Sequence, residues 1–279
     1  MKKKINIVTL LVVIALVITA FVLINNNQNG SQPSEINKNE LQERTYYRNG
    51  DIDNENHVEL PKIDKGDMII QHNAYTLSYN EEHEQAEWVV YLVTRDHVNG
   101  EIERGNDFRE DEAVETGSAA LEDYRKSGYS RGHLVPAGDM KWDETAMSET
   151  FLLSNISPQL QEFNAGIWLK LENRVRSWAK IYDSLWVVTG PVLREGLPTI
   201  GENEVSVPEY FYKIVYDPER EEMIGWVVPH KAIKTTAPKL AVTVDSIEKL
   251  TGIDFFEEME DEAEERMESH LCKECWNWK

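Results

Sequence analysis

Four apolar runs and one amphipathic helix constrain this chain more than any other feature. "EWVVYLVTR" (Glu87–Arg95), "LWVVTGP" (Leu185–Pro191), "EYFYKIVYD" (Glu209–Asp217) and "EMIGWVVPH" (Glu222–His230) are short and rich in β-branched and aromatic residues. Runs of that length and composition predict strands. "DPEREE" (Asp217–Glu222) separates the last two and predicts a hairpin turn. Between the first two lies "NAGIWLKLENRVRSWAKIY" (Asn164–Tyr182), where Ile167, Leu171, Val175 and Trp178 recur at helical spacing and make a core stripe. A shorter helix is predicted over "VDSIEKLTG", stopped by Gly252. Strands and helices mix without strict alternation, which predicts one α+β domain over residues 64–256, with Trp168, Trp178 and Trp186 in its core.

The ends read differently. Lys2, Lys3 and Lys4 precede an apolar stretch, Ile5–Ile24, broken only by Asn6, Thr9 and Thr19. About 20 apolar residues suffice to cross a bilayer as a helix. Residues 1–24 therefore read as a signal-anchor or a signal peptide. The anchor is favoured, because a cleavage site of the A-x-A kind is poorly matched around Ala20. The lysines keep the N-terminus in the cytoplasm. The remainder of the chain is then expected outside it, membrane-anchored through residues 5–24, or secreted if the segment is cleaved. Residues 25–63 read as a polar linker, most solvated over Asn25–Glu43. Residues 257–279 read as an acidic C-terminal helix or tail. It carries the pair Cys272 and Cys275, for which a local disulfide and two free thiols are both open. His270 adds a third donor for zinc, but no fourth is apparent. The acidic run Glu257–Glu268 reads as a solvated face, with a calcium role as the lesser alternative.

The net charge is −21. That excludes holding nucleic acid by bulk charge. It leaves room for a small basic site, because charges more than a Debye length away are screened. "SRGH" supplies one: an extended segment puts Arg131 and His133 on the same side. A histidine is the usual general base near neutral pH, and an arginine neutralises charge developing on a phosphate. Gly132 between them would allow a close backbone approach to that phosphate. Taken alone, the tripeptide is a weak signal and reads first as a structural histidine. On the helix, Asn164, Trp168, Glu172 and Arg176 are spaced by four and share one side, a step of about 100° from the apolar stripe. This predicts a column beside the core face without being inside it. Taken alone, the column also reads as a solvated edge with a Glu172–Arg176 pair.

Three ordered motifs, "SRGHLVPAG", "ETFLLSNISPQ" (Glu149–Gln159) and "FNAGIWLKLE" (Phe163–Glu172), resemble the DNA/RNA non-specific endonucleases. These are ββα-metal (His-Me finger) nucleases. The likeness continues through "WVVTGPVL" and "VPEYFYKIV" to "TGIDFF", covering Asp67–Phe256. It implies a ββα-metal domain that hydrolyses phosphodiester bonds of DNA and RNA, leaving 5′-phosphates. By resemblance, His133 would be the general base. Asn164 would be the one direct protein ligand of Mg²⁺, with Mn²⁺ or another divalent cation as substitutes. Glu172 would hold metal-bound water, and Arg131 would contact the scissile phosphate, with Arg176 a second candidate for that task. Asn155 would order the site through hydrogen bonds, and Arg95 is a further candidate phosphate contact. Ser130 stands where many relatives carry Asp. The alternative from another class is a non-catalytic, membrane-anchored nucleic-acid-binding or scaffold protein of the same fold, and a different metal-dependent phosphodiesterase is a second. Retention of His133 and Asn164 argues against the scaffold.

Overall fold

A computed structural model of the protein describes residues 59–279, which belong to one unit spanning Thr45–Lys279. The apolar segment Ile5–Ile24 and the polar stretch Asn25–Glu43 lie outside the described residues. Among the described residues no helix is long and apolar enough to cross a membrane.

The frame is a seven-stranded, wholly antiparallel sheet. Its strands are β1 (Met68–Gln71), β2 (Tyr75–Asn80), β3 (Gln85–Thr94), β6 (Ser184–Pro191), β9 (Tyr210–Asp217), β10 (Glu222–Pro229) and β11 (Ala241–Val242), in spatial order 1-2-3-6-9-10-11. Two small pairs stand apart: β4 (Ser130–His133) with β5 (Ile156–Gln159), and β7 (Thr199–Ile200) with β8 (Val205–Ser206). The four expected strands are β3, β6, β9 and β10, displaced by no more than two residues at either end. They read as continuous apolar runs because both faces of the sheet are covered. On β3, Val89, Tyr91 and Val93 enter one core while Trp88 and Val90 enter a second. On β9, Phe211 and Val215 share the first core, and Tyr212, Ile214 and Tyr216 the second.

The first core is roofed by helices α1 (Arg95–Asn99) and α2 (Leu169–Tyr182), the latter contributing Leu171, Val175, Trp178 and Ala179. The second is covered by α3 (Val244–Thr251) and α4 (Asp261–Glu268), through Val244, Ile247 and Met267, with Phe255 and Phe256 between the helices. The C-terminal segment also packs into this unit. Trp276 is buried, its ring 4.5 Å from that of Trp178, and Arg174 donates to the carbonyls of Asn277, Trp278 and Lys279. Cys272 and Cys275 are joined in a disulfide. Trp168 and Trp178 are fully buried, and Trp186 is partly buried against the second core.

The helix expected from Asn164 has two parts. Asn164–Trp168 is a π-helical turn, with Gly166 at non-helical φ −99°, ψ −110°, and only then does the regular helix α2 begin. Arg95 opens α1 and does not end a strand.

Candidate active site

β4 and β5 pair antiparallel, with Arg131 opposite Pro158 and His133 opposite Ile156, and the chain passes from β5 through Leu160 directly into the turn that starts at Gln161. Two strands and a helix thus enclose one site. His230 braces the junction: its Nε2 accepts from the Leu160 N–H at 2.7 Å, and its Nδ1 lies 2.7 Å from the Pro208 carbonyl and donates to it. The Trp168 indole N–H points at the His133 carbonyl from 3.4 Å, tying the π-helical turn to the hairpin.

His133 differs from the other histidines packed into the fold. His72 pairs with Asp111, His83 with Ser206, and His230 with two backbone groups. The Nε2 of His133 is buried and has no hydrogen-bond partner. Its ring lies 5.0 Å from Phe151 edge-on and 5.4 Å from Phe108. Burial, with Arg104 and Arg131 adding positive charge, pushes its pKa down to about 3. The imidazole is therefore neutral at physiological pH, as a proton acceptor must be. Arg131 lies over the Phe108 ring, 4.0 Å from its centroid, and Arg104 over Phe151 at 5.2 Å. The two aromatic rings thus hold two cations beside the histidine. Arg131 also lines an open groove with Phe108, Tyr124 and Tyr129.

Asn155 is fully buried. Its side chain accepts from the Val135 N–H at 2.9 Å and donates to the carbonyls of Val135 at 3.1 Å and Thr150 at 2.9 Å, so it clamps the backbone just after His133. Ser130 donates to the Gln161 side chain at 2.6 Å, linking the start of β4 to the start of the helix.

The helical column does not lie beside the core. Trp168 is fully buried and Glu172 is 8% exposed. The cause is a second wall over that side: Asp139 from the loop after β4, and Tyr91 and Lys213 from the sheet. Arg176 donates to Asp139 at 2.6 Å and lies 3.6 Å from Glu172, and Tyr91 donates to the far oxygen of Asp139 at 3.1 Å. Lys213 is fully buried under the Trp168 ring, with no hydrogen bond to its ammonium. Burial drives Glu172 upward against the pull of Arg176 and Lys213, and drives Lys213 downward. Arg176, the second candidate for the phosphate contact, pairs with buried Asp139. Arg95 is likewise engaged elsewhere: its guanidinium lies 3.4 Å from Asp183 and donates to the Lys180 carbonyl, at the far end of α2 from Asn164. That end is about 20 Å away at 1.5 Å per residue.

Two glycines of this segment leave room for neighbouring side chains. A Cβ on Gly132 would fall 2.1 Å from Cδ of Gln159, so Gly132 makes room for that buried side chain. A Cβ on Gly138 would lie 2.9 Å from Arg176, so that glycine lets the guanidinium reach Asp139. Sequence reasoning missed Arg104, Phe108, Asp139 and Lys213. Only Asp139 had a local clue, standing six residues after His133 and directly following "SRGHLVPAG".

Asn164 is partly exposed at the head of the π-helical turn, and no hydrogen bond engages its carboxamide among the described residues. A free carboxamide oxygen, with a buried carboxylate two turns on, is a hard-oxygen donor set of the kind that suits Mg²⁺.

The sequence profile of the DNA/RNA non-specific endonucleases matches residues 52–262. The chain is 38% identical over 201 residues to the mitochondrial nuclease EXOG of Danio rerio, covering 65% of this chain and 59% of that protein. It is 33% identical over 202 residues to the mitochondrial endonuclease G of Homo sapiens, covering 65% and 67%. It is 32% identical over 214 residues to nuclease C1 of Cunninghamella echinulata var. echinulata, covering 69% and 84%. The chain spans little more than half the length of the EXOG proteins it matches. A crystal structure of the EndoG/EndoGI complex, described as showing the mechanism of EndoG inhibition, superposes with a TM-score of 0.67 at 31% identity, covering 74% of this chain and 91% of that one. The hairpin and helix around His133, and a match over most of the described residues, make this chain a member of the DNA/RNA non-specific endonuclease family.

Proposed function

We propose that this protein is a metal-dependent endonuclease that hydrolyses the phosphodiester bonds of DNA and RNA without regard to the sugar. The observation that carries the reading is His133: neutral, buried, and flanked by Arg131 and Arg104 on the ββα frame. With Nε2 sealed, Nδ1 is the nitrogen a water can reach, and it takes the proton of the attacking water. Arg131 and Arg104 neutralise the phosphate as charge builds on it. Asn155 holds the backbone that aims the imidazole. Asn164 would hold Mg²⁺ directly, and Glu172 would orient water around it. When bound, the cation supplies charge stabilisation for the phosphate and the departing 3′-oxygen. Reading only the sugar-phosphate backbone requires no base contacts, and so a local basic site suffices in an acidic protein.

The proposal extends to location. Lys2–Lys4 and Ile5–Ile24 support a signal-anchor or signal peptide with the nuclease domain outside the cytoplasm. A mainly apolar run without arginine differs from the amphipathic, arginine-rich segment that directs import into mitochondria. N-terminal sequencing of the mature protein separates anchor from signal: a start at Met1 supports the anchor, and a start beyond Ala20 refutes it. The activity is tested by incubating the protein with plasmid DNA and with RNA, in Mg²⁺ and in EDTA. Cleavage of both substrates, abolished by EDTA, is expected; intact substrates in Mg²⁺ would overturn the reading.

A further inference from the structure

We propose that Asp245, Glu248 and Glu268 form a calcium site that joins α3 to α4 on the face of the sheet away from His133. Each offers one carboxylate oxygen, and these oxygens all lie within 4.8 Å of one another. Two oxygens on one Ca²⁺, each about 2.4 Å from it, are separated by at most about 4.8 Å. The three oxygens therefore lie within the spacing that one Ca²⁺ allows.

Glu268 is the second observation. Its side chain is only 5% exposed, and its Oε1 is buried with no hydrogen-bond partner. A carboxylate in that position needs a cation or a proton. No internal cation reaches it among the described residues. Lys249 lies 3.8 Å from Asp245 but its side chain is 81% exposed, and Arg266 points away to Glu221 at 2.8 Å. More carboxylates crowd in. Burial and the charges of Glu248, Glu264, Asp245 and Asp254 push Glu268 up to about 9, and burial with Asp254, Glu248, Asp261 and Glu257 pushes Glu264 up to about 7. The Phe255 N–H donates to Glu248 at 2.9 Å and fixes how that carboxylate is turned.

The donor set selects calcium over magnesium. Three side-chain carboxylates with waters in the rest of the shell suit a large ion of flexible geometry; Mg²⁺ keeps more of its waters and uses one or two carboxylates. The site is separate from the nuclease chemistry, since α3 and α4 pack on the second core and Trp168 lies in the first. Glu268 also falls outside residues 52–262, the part shared with the family. Its effect is mechanical. The ion pins α4, which leads into the segment that carries the Cys272–Cys275 disulfide and packs Trp276 on Trp178.

The test uses the full-length protein at saturating Mg²⁺, so that the nuclease site is occupied throughout. Binding is measured by equilibrium dialysis with radioactive calcium, and stability by thermal unfolding with and without Ca²⁺. The wild type should bind one more calcium than Glu268→Gln. Its Tm should rise by about 5–10 °C at a calcium concentration about 100 times Kd, and that rise should vanish in Glu268→Gln. Asp245→Asn, at a half-exposed position, gives the same comparison if Glu268→Gln fails to fold. Equal calcium binding by wild type and the variants overturns the site. So does a wild-type Tm indifferent to calcium, which would mean that Glu268 simply holds a proton.

Discussion

Arg176→Met tests whether Arg176 is an internal counter-ion or a substrate contact. The Asp139 side chain is fully buried and its partner lies 2.6 Å away, with only 18% of the Arg176 side chain exposed. Methionine keeps the aliphatic volume but leaves Asp139 and Glu172 buried together, opposed only by Lys213, whose ammonium makes no hydrogen bond. Removing one partner of a buried pair costs about 3–5 kcal/mol, because the other charge stays behind. At about 2–4 °C per kcal/mol for a domain of this size, the expected fall in Tm is about 6–20 °C. Asp139→Asn should cost less, because Arg176 keeps Glu172 and some solvent. The double variant should lose less than the sum of the two, with a coupling energy of about 0.5–3 kcal/mol. Urea and thermal unfolding of the four proteins give this cycle, and plasmid nicking at a temperature where all are folded gives the activity. A wild-type Tm in Arg176→Met together with a severe loss of cleavage, or zero coupling to Asp139, would refute the reasoning and return Arg176 to the phosphate.

Four further outcomes are expected. His133→Ala should stay folded and lower plasmid cleavage by about 10²–10⁴-fold, the usual contribution of a positioned acid–base group, and Asn164→Ala should lose cleavage together with its Mg²⁺ titration; a folded His133→Ala that cleaves normally removes the base assignment. Burial with Arg104 and Arg131 lowers His133 to about 3 from its ordinary 6.5, so the unfolded chain binds the proton first. Its contribution to stability is full above pH 6.5 and is lost as pH falls toward 3, by at most about 1.4 kcal/mol per pH unit, and His133→Asn should remove that slope in urea unfolding across this range. Gly132→Ala should destabilise by about 1–3 kcal/mol through overpacking against Gln159, and Gln159→Ala should restore most of it; no rescue would mean that the cost does not come from this clash.

Some of this protein was legible in one dimension. Strands buried on both faces announce themselves as unbroken apolar runs, so β3, β6, β9 and β10 were found with their ends nearly in place. The short β1 and β2, and the two-residue strands, carry too few residues for periodicity to register. The order of "SRGH", "SNISPQ" and "FNAG" marked the hairpin and helix, because the site is built from elements close in sequence. Side chains brought from afar were not marked. Arg104 and Phe108 reach His133 from a loop with no regular pattern, and Lys213 reaches Trp168 from the far strand β9. Helical spacing correctly placed Trp168, Glu172 and Arg176 on one side of α2. Whether that side meets water or protein depends on what lies across from it, and Asp139, Tyr91 and Lys213 supply that wall. Local spacing determines which residues share a face; burial, counter-ions and shifted proton affinities belong to pairs of faces, and only the tertiary fold decides which faces meet.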